Sequence, residues 1–315
     1  MKRIFFTIWL ASTAMAQVGF PTLGYLPDGG TIRAMTGIAS SASIGPLLGG
    51  GAVTFTQVVV ASGGGFSLAS LPGGGVVVVT VASDGVTLNT APIAGAIAGT
   101  LYLSPNGSSG LIANGGQLQV ITGLPGSPAV QPAVDTSYLG AATALAVSDD
   151  GQWIAGVFGG AVYALGASGQ AIALPAPAGV TALTFFHGTD DLAVTTAIQI
   201  FEISGIGGIP TITTIFGSPN TPVPSEAPIA LALSADNSVV VLLEPDGGIG
   251  QVVLATGAVS TANCGCTPQG LSGLGGAAFL VSNLAGGSSV KVYDAASGSV
   301  WFVPLAATST QGGQQ

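Results

Sequence analysis

Leu145-Ala146-Val147-Ser148-Asp149-Asp150-Gly151-Gln152-Trp153-Ile154-Ala155-Gly156-Val157-Phe158 reads as one short apolar strand, a tight polar turn and a second apolar strand. The turn Ser148-Asp149-Asp150-Gly151 joins carboxylates that hydrogen-bond turn backbone to a glycine that accepts positive φ. Six further stretches follow this plan. They begin at Leu23 (LGYLPDGGTIRAMTG), Phe66 (FSLASLPGGGVVVVTV), Leu101 (LYLSPNGSSGLIAN), Leu183 (LTFFHGTDDLAVTT), Leu231 (LALSADNSVVVLLE) and Leu271 (LSGLGGAAFLVSN). Markers at Pro27, Pro72, Pro105, Asp149, Gly188, Ala235 and Gly273 are spaced by 45, 33, 44, 39, 47 and 38 residues, averaging 41.

A second set of small-residue turns lies downstream: Ser83-Asp84-Gly85, Ala167-Ser168-Gly169, Ala255-Thr256-Gly257 and Ser297-Gly298. Each unit therefore predicts four antiparallel strands joined by tight turns. A period of about 40–45 residues with four short strands is that of a β-propeller blade. The fold expected is all-β, a seven-bladed propeller of four-stranded antiparallel blades. A β-solenoid is the alternative for so Gly-, Val- and Ala-rich a chain, but its rungs repeat in about 20–30 residues. One blade cannot bury both its apolar faces alone, whereas a closed ring stacks each face on a neighbour.

Lys2-Arg3, the apolar run Ile4 to Leu10 and the small-x-small Ala14-Met15-Ala16 read as a signal peptide over residues 1–16, cleaved after Ala16. The run is too short to cross a bilayer of about 30 Å as a helix. A single propeller domain is expected over 17–306, with a polar tail over 307–315. Cleavage leaves Arg33 and Lys291 against 13 acidic residues, a net charge of −11. That balance opposes nucleic acid and anionic membrane, both of which need a basic face. The mean hydropathy of +0.70 comes from short Val and Ala strands such as Val76 to Val79, with no segment of about 20 apolar residues. A secreted or periplasmic protein without membrane insertion is expected.

The turns Leu103-Ser104-Pro105-Asn106-Gly107 and Val147-Ser148-Asp149-Asp150-Gly151, with Val292-Tyr293-Asp294-Ala295-Ala296-Ser297-Gly298, resemble those of bacterial secreted propellers with YVTN-type or NHL-type repeats. The last, continued to Trp301, is similar to the blade-closing repeat of quinoprotein propellers, with Ser297 where that motif has Thr. The likeness covers nearly the whole mature chain and extends to exported propellers of soil acidobacteria. It implies the fold and an exported location.

His187 is the single histidine. With Asp190 or Asp191 behind it, it forms a candidate general base; without a second histidine, a multi-histidine metal site is excluded. Its other reading is a turn residue. Most acidic residues sit in turns, where an incidental Ca²⁺ is their alternative use; no D-x-[DN]-x-[DN]-G run is present. Glu244 follows the apolar run Val239 to Leu243 and is a candidate for facing the channel. One carboxylate does not make a glycosidase pair. Cys264 and Cys266, the only cysteines, are expected to be oxidised in an exported protein, as a local staple or in a redox or intermolecular role. The glycine triplets lack the Lys and helix of a phosphate loop. Tyr102, Tyr138, Trp153, Phe158, Tyr163, Tyr293 and Trp301 read as interblade packing or as sugar platforms.

These observations favour a non-enzymatic propeller that binds a protein, peptide or glycan on one face, with no catalytic, cofactor or metal residues assigned. The alternatives are a hydrolase, lactonase or quinoprotein-like enzyme using the channel, and a structural cell-surface protein. Carboxylates converging on the channel would favour the enzyme; a lining of Ala, Gly, Val and Ser opposes it.

Overall fold

The computed structural model describes residues 21–166, 169–217, 226–282, 284 and 289–306. The signal peptide and the polar tail expected from the sequence lie outside these residues. Seven antiparallel sheets follow one another round a ring. Blade 1 holds β1 (Thr22–Asp28), β2 (Thr31–Thr36) and β3 (Ser43–Leu47). Blade 2 holds β4 (Gln57–Val60), β5 (Ser67–Ser70), β6 (Val76–Val81) and β7 (Leu88–Pro92). In blade 3, β8 (Thr100–Leu103), β9 (Gly110–Asn114) and β10 (Gln117–Thr122) meet an outer strand broken into β11 (Ala129–Val130) and β12 (Val134–Asp135), both paired with β10.

Blade 4 runs β13 (Ala142–Val147), β14 (Trp153–Phe158), β15 (Ala161–Gly166) and β16 (Ala171–Ala173). Blade 5 runs β17 (Ala182–Phe185), β18 (Leu192–Thr195), β19 (Ile200–Ser204) and β20 (Thr211–Phe216). Blade 6 runs β21 (Ala230–Leu233), β22 (Val239–Leu243), β23 (Gly248–Val253) and β24 (Ala258–Asn263). Blade 7 runs β25 (Ser272–Gly275), β26 (Ala278–Leu280), β27 (Ser289–Asp294) and β28 (Ser299–Pro304). The ring excludes the solenoid. Among the described residues no helix is long and apolar enough to cross a membrane.

The core is distributed as seven clusters of buried apolar residues, one at each junction between neighbouring blades. Strand geometry explains why a run of four valines serves this plan. Alternate side chains of a strand point to opposite faces, so Val76 and Val78 pack toward blade 3 while Val77 and Val79 pack toward blade 1. A strand buried on both faces needs no polar alternation.

The Ser-x-Asx turns recur because they satisfy themselves. In Ser104, Ser148 and Ser234 the Oγ accepts the N–H five residues on, from Ser109, Trp153 and Val239 at 3.1, 3.0 and 3.0 Å. Each hydroxyl also donates to the side chain two residues on: Asn106, Asp150 and Asp236. Two serine hydroxyls, Ser234 and Ser238, hold the Asp236 carboxyl down at about 2.

Blades 1 and 2 correct the strand phase read from the sequence. In blades 3 to 7 the quoted stretches are first and second strands. The Phe66 stretch is instead β5 and β6, the second and third strands of blade 2. The first turn of blade 2 runs from Ala61 to Phe66, where the Ala61 N–H donates to the Phe66 carbonyl. The Leu23 stretch, β1 and β2, has the same shifted phase. Its Gly29-Gly30 turn has φ of 54° and 84°, matching the second-to-third turns Gly115-Gly116 (53°, 91°) and Gly159-Gly160 (56°, 84°). The slip explains the short 33-residue interval between Pro72 and Pro105: it runs from a second-to-third turn to the next blade's first turn.

Blade 1 thus has three strands among the described residues, tied together by Arg33. Its Nε donates to Asp28 Oδ2 at 2.6 Å, and one terminal nitrogen donates to the Gly45 carbonyl at 3.0 Å. The ring closes where Leu305, just past β28, pairs in parallel with Ile44 of β3. The Ala306 N–H donates to the Ile44 carbonyl at 2.8 Å.

Candidate functional site

The ring has two faces with different chemistry. On the turn face lie the first turns of blades 2 to 7; on the crossover face lie the second-to-third turns and the links between blades. The two faces separate the candidate residues.

A hydrogen-bonded belt joins neighbouring turns on the turn face. Asp149, 8% exposed, accepts the Asn106 N–H of blade 3 at 2.9 Å and the Gly188 N–H of blade 5 at 2.7 Å. Its own carbonyl accepts the hydroxyls of Ser108 and Ser109. Asn237 of blade 6 clasps the His187 backbone, accepting its N–H and donating to its carbonyl, both at 2.9 Å. Asn237 is the one non-glycine residue with positive φ, 56°, among the described residues, a conformation Asn tolerates better than most residues. Ala235 N–H continues the belt to the Gly276 carbonyl of blade 7.

His187 stands at the turn-face mouth of the channel. A recess of about 190 Å³ there is lined by Val59, Val60, Leu103, Leu231, Leu271, Ser62, Thr184 and neighbours, with no Asp or Glu. A separate recess of about 190 Å³ lies between blades 4 and 5, against Asp149, Asp150 and Asp190. Burial first, then repulsion from Asp150 and Asp191, raises the Asp190 pKa. Burial and Asp191 raise that of Glu202. Among the described residues, no three His, Cys, Asp or Glu side chains are grouped to hold a metal ion.

A carboxyl whose pKa is higher folded than unfolded binds protons more readily when folded. Its contribution to stability is present at low pH and lost as pH rises through the raised value. Asp190→Asn is therefore expected to raise the melting temperature at neutral pH. It should also flatten the gain that wild type shows on acidification from neutral pH toward the ordinary Asp value of about 3.9. Thermal scans in which the variant keeps the wild-type pH profile would remove this cluster as its source.

Glu244, 6% exposed, lies on the opposite, crossover face. It forms the second-to-third turn of blade 6, its N–H donating to the Gly248 carbonyl at 2.8 Å. It is not among the residues that line the recess at the turn-face mouth. Cys264 and Cys266 are bonded to each other in the link from blade 6 to blade 7. The Cys264 N–H donates to the Gly247 carbonyl of that same turn at 2.9 Å. His187, Asp190 and Asp191 thus share one face, and Glu244 with the disulfide occupies the other.

Two larger cavities open on the crossover face, and neither was read from the sequence. One, of about 430 Å³, lies between blades 3 and 4. Tyr102, Leu118, Leu145 and Phe158 form its apolar wall, and Asn114, Thr136 and Ser137 its polar edge. Thr136 is fixed there by its N–H and hydroxyl, both donating to the Gly116 carbonyl. Burial raises the Tyr102 pKa, and Tyr138 beside the cleft is 65% exposed. The other, of about 410 Å³, lies beside blade 1. The aromatic residues were legible as packing groups, but a gap between blades has no local sequence signal.

No protein-family model matches the chain, and no curated protein matches it. Among solved structures it is similar to a functionally unknown protein from Desulfotomaculum acetoxidans. The TM-score is 0.60 at 14% identity, covering 89% of this chain and 95% of that one. That likeness shows the propeller fold alone.

Proposed function

We propose that this protein is an exported, non-enzymatic propeller that binds a peptide or glycan on its crossover face, in the cleft between blades 3 and 4. The observation that carries this reading is the cleft itself. About 430 Å³ with an apolar wall and a polar edge falls in the range of ligand sites, about 300–1,000 Å³. Tyr138 adds an exposed aromatic surface of the kind that stacks on sugars or packs on peptide side chains. The channel mouth, lined by aliphatic and hydroxyl side chains around one histidine, supports binding over hydrolysis.

The candidate cleavage after Ala16 and the YVTN- or NHL-like turns support export. N-terminal sequencing of the protein secreted by its host is expected to begin at Gln17; a mature chain beginning at Met1 overturns that part. The binding reading is tested on arrays of peptides and glycans with wild type, Tyr138→Ala and Ala141→Trp, the last placing an indole in the cleft. Both variants are expected to fold and to lose at least ~10-fold in affinity, about 1.4 kcal/mol. Binding that survives both substitutions moves the ligand elsewhere.

A further inference from the structure

Among the described residues blade 1 has no innermost strand, and the cavity beside it lies where such a strand would run. In blade 3, β8 lies inside β9, with Thr100 opposite Ala113. Counting back from the matched glycine pairs, the residue of β1 equivalent to Ala113 is Pro27. Asp28 and Thr31 flank a two-residue turn and form its hydrogen-bonded pair, so the next pair, Pro27 and Ile32, turns its backbone groups away from β2. The Pro27 carbonyl therefore faces the inner edge, and proline has no N–H to accompany it.

At the turn face the space is shut. The first turns of blades 7 and 2 meet there, so that a Cβ on Gly275 would lie 3.3 Å from Gly63 Cα. At the crossover face it opens as the 410 Å³ cavity, between Pro27 and Gly29 of blade 1, Val58 of blade 2, and Gly270 and Ser272 of blade 7.

The lining selects among ligands. Among the described residues no charged side chain borders the cavity, so none of them compensates the desolvation of a phosphate, carboxylate or amine. Nor does an aromatic side chain of the described residues border it, which leaves a flat base or ring without a stacking partner there. An added peptide strand needs alternating donors and acceptors along β1, and Pro27 interrupts them. The second strands of the other six blades contain no proline. What the lining does offer is the Pro27 carbonyl, the Ser272 and Ser282 hydroxyls and the Gln269 amide, beside the apolar surfaces of Val58 and Leu280.

From these groups we infer that the cavity binds a short neutral saccharide of one or two rings, whose hydroxyls donate to the carbonyl and whose C–H faces rest on Val58 and Leu280. This site is separate from the cleft between blades 3 and 4.

Calorimetric titration of the intact mature chain with neutral mono- and disaccharides tests it, with uronic acids, amino sugars and short peptides as comparators. Gly270→Phe is the plug, because a Cβ at Gly270 meets open space and its φ lies outside the left-handed region. With the cleft between blades 3 and 4 blocked by Ala141→Trp, neutral sugars are still expected to bind, and adding Gly270→Phe to that variant should weaken the remaining binding at least ~10-fold with an unchanged melting temperature. The inference is overturned if no neutral sugar binds wild type, or if a charged sugar or a peptide binds the same cavity as tightly. It also fails if Gly270→Phe leaves the sugar binding of Ala141→Trp unchanged, or if Ala141→Trp alone removes all of it. Any of these results with cleft binding intact leaves the reading of the cleft standing.

Discussion

Asp149→Ala is expected to lower the unfolding free energy by about 3–4 kcal/mol and the melting temperature by about 6–8 °C. The carboxylate is buried and receives two backbone N–H groups from two other blades. Hydrogen bonds to a charged group contribute about 1.5–3 kcal/mol each; Asn106 and Gly188 are themselves exposed, so water takes up their N–H groups and the loss stays near the lower end of two such bonds. Asp149→Asn retains the shape but only one acceptor oxygen, so about half the loss is expected. Asp84 is the control: it is exposed and caps its own turn, accepting the Val86 and Thr87 N–H groups, so Asp84→Ala should be far milder than Asp149→Ala. Calorimetry that finds Asp149→Ala and Asp84→Ala equally mild would show that the belt does not hold the blades together.

Asp149 also shows where sequence reasoning stops. Ser148, Asp150 and Gly151 were legible because their partners lie within five residues, and a local pattern repeats wherever the local turn repeats. The Asp149 side chain leaves its own turn for Asn106 and Gly188, 43 and 39 positions away, and nothing in the turn sequence distinguishes it from Asp150. His187 was conspicuous as the single histidine, yet the belt uses its backbone, which any residue supplies. The phase of blade 2 was misread because Leu71-Pro72-Gly73-Gly74 imitates a Ser-Pro-Asn-Gly turn, although the 33-residue interval marked the error. The same misreading hid the cavity beside blade 1: with Gly29-Gly30 taken as a first turn, the inner strand that blade 1 lacks among the described residues is not missed. Pro27, in a strand position where the equivalent residue of blade 3 is Ala113, was the available signal.

The junction between blades 7 and 1 differs from the other six because no chain link crosses from one of its blades to the next. It is held by a cluster including Leu26, Met35, Ile44, Val292 and Val303, and by the backbone of Leu305 and Ala306 against Ile44. Ile44 is fully buried, so Ile44→Ala is expected to cost about 3–4 kcal/mol, within the range for buried Ile to Ala. Ile112, equally buried, sits at the junction of blades 2 and 3, which the chain does cross; Ile112→Ala should cost about the same.

The two variants should part in where the ring opens. Amide exchange in Ile44→Ala is expected to accelerate first in β1, β3 and β28, while Ile112→Ala exchanges through global unfolding. A chain ending at Pro304 should share the selective opening, because it lacks the Leu305 bridge and the Ala306 N–H, whereas one ending at Ala306 should behave as wild type. Uniform exchange in Ile44→Ala, or identical behaviour of the two truncations, would place the weakest junction elsewhere and make the bridge to Ile44 incidental to closure.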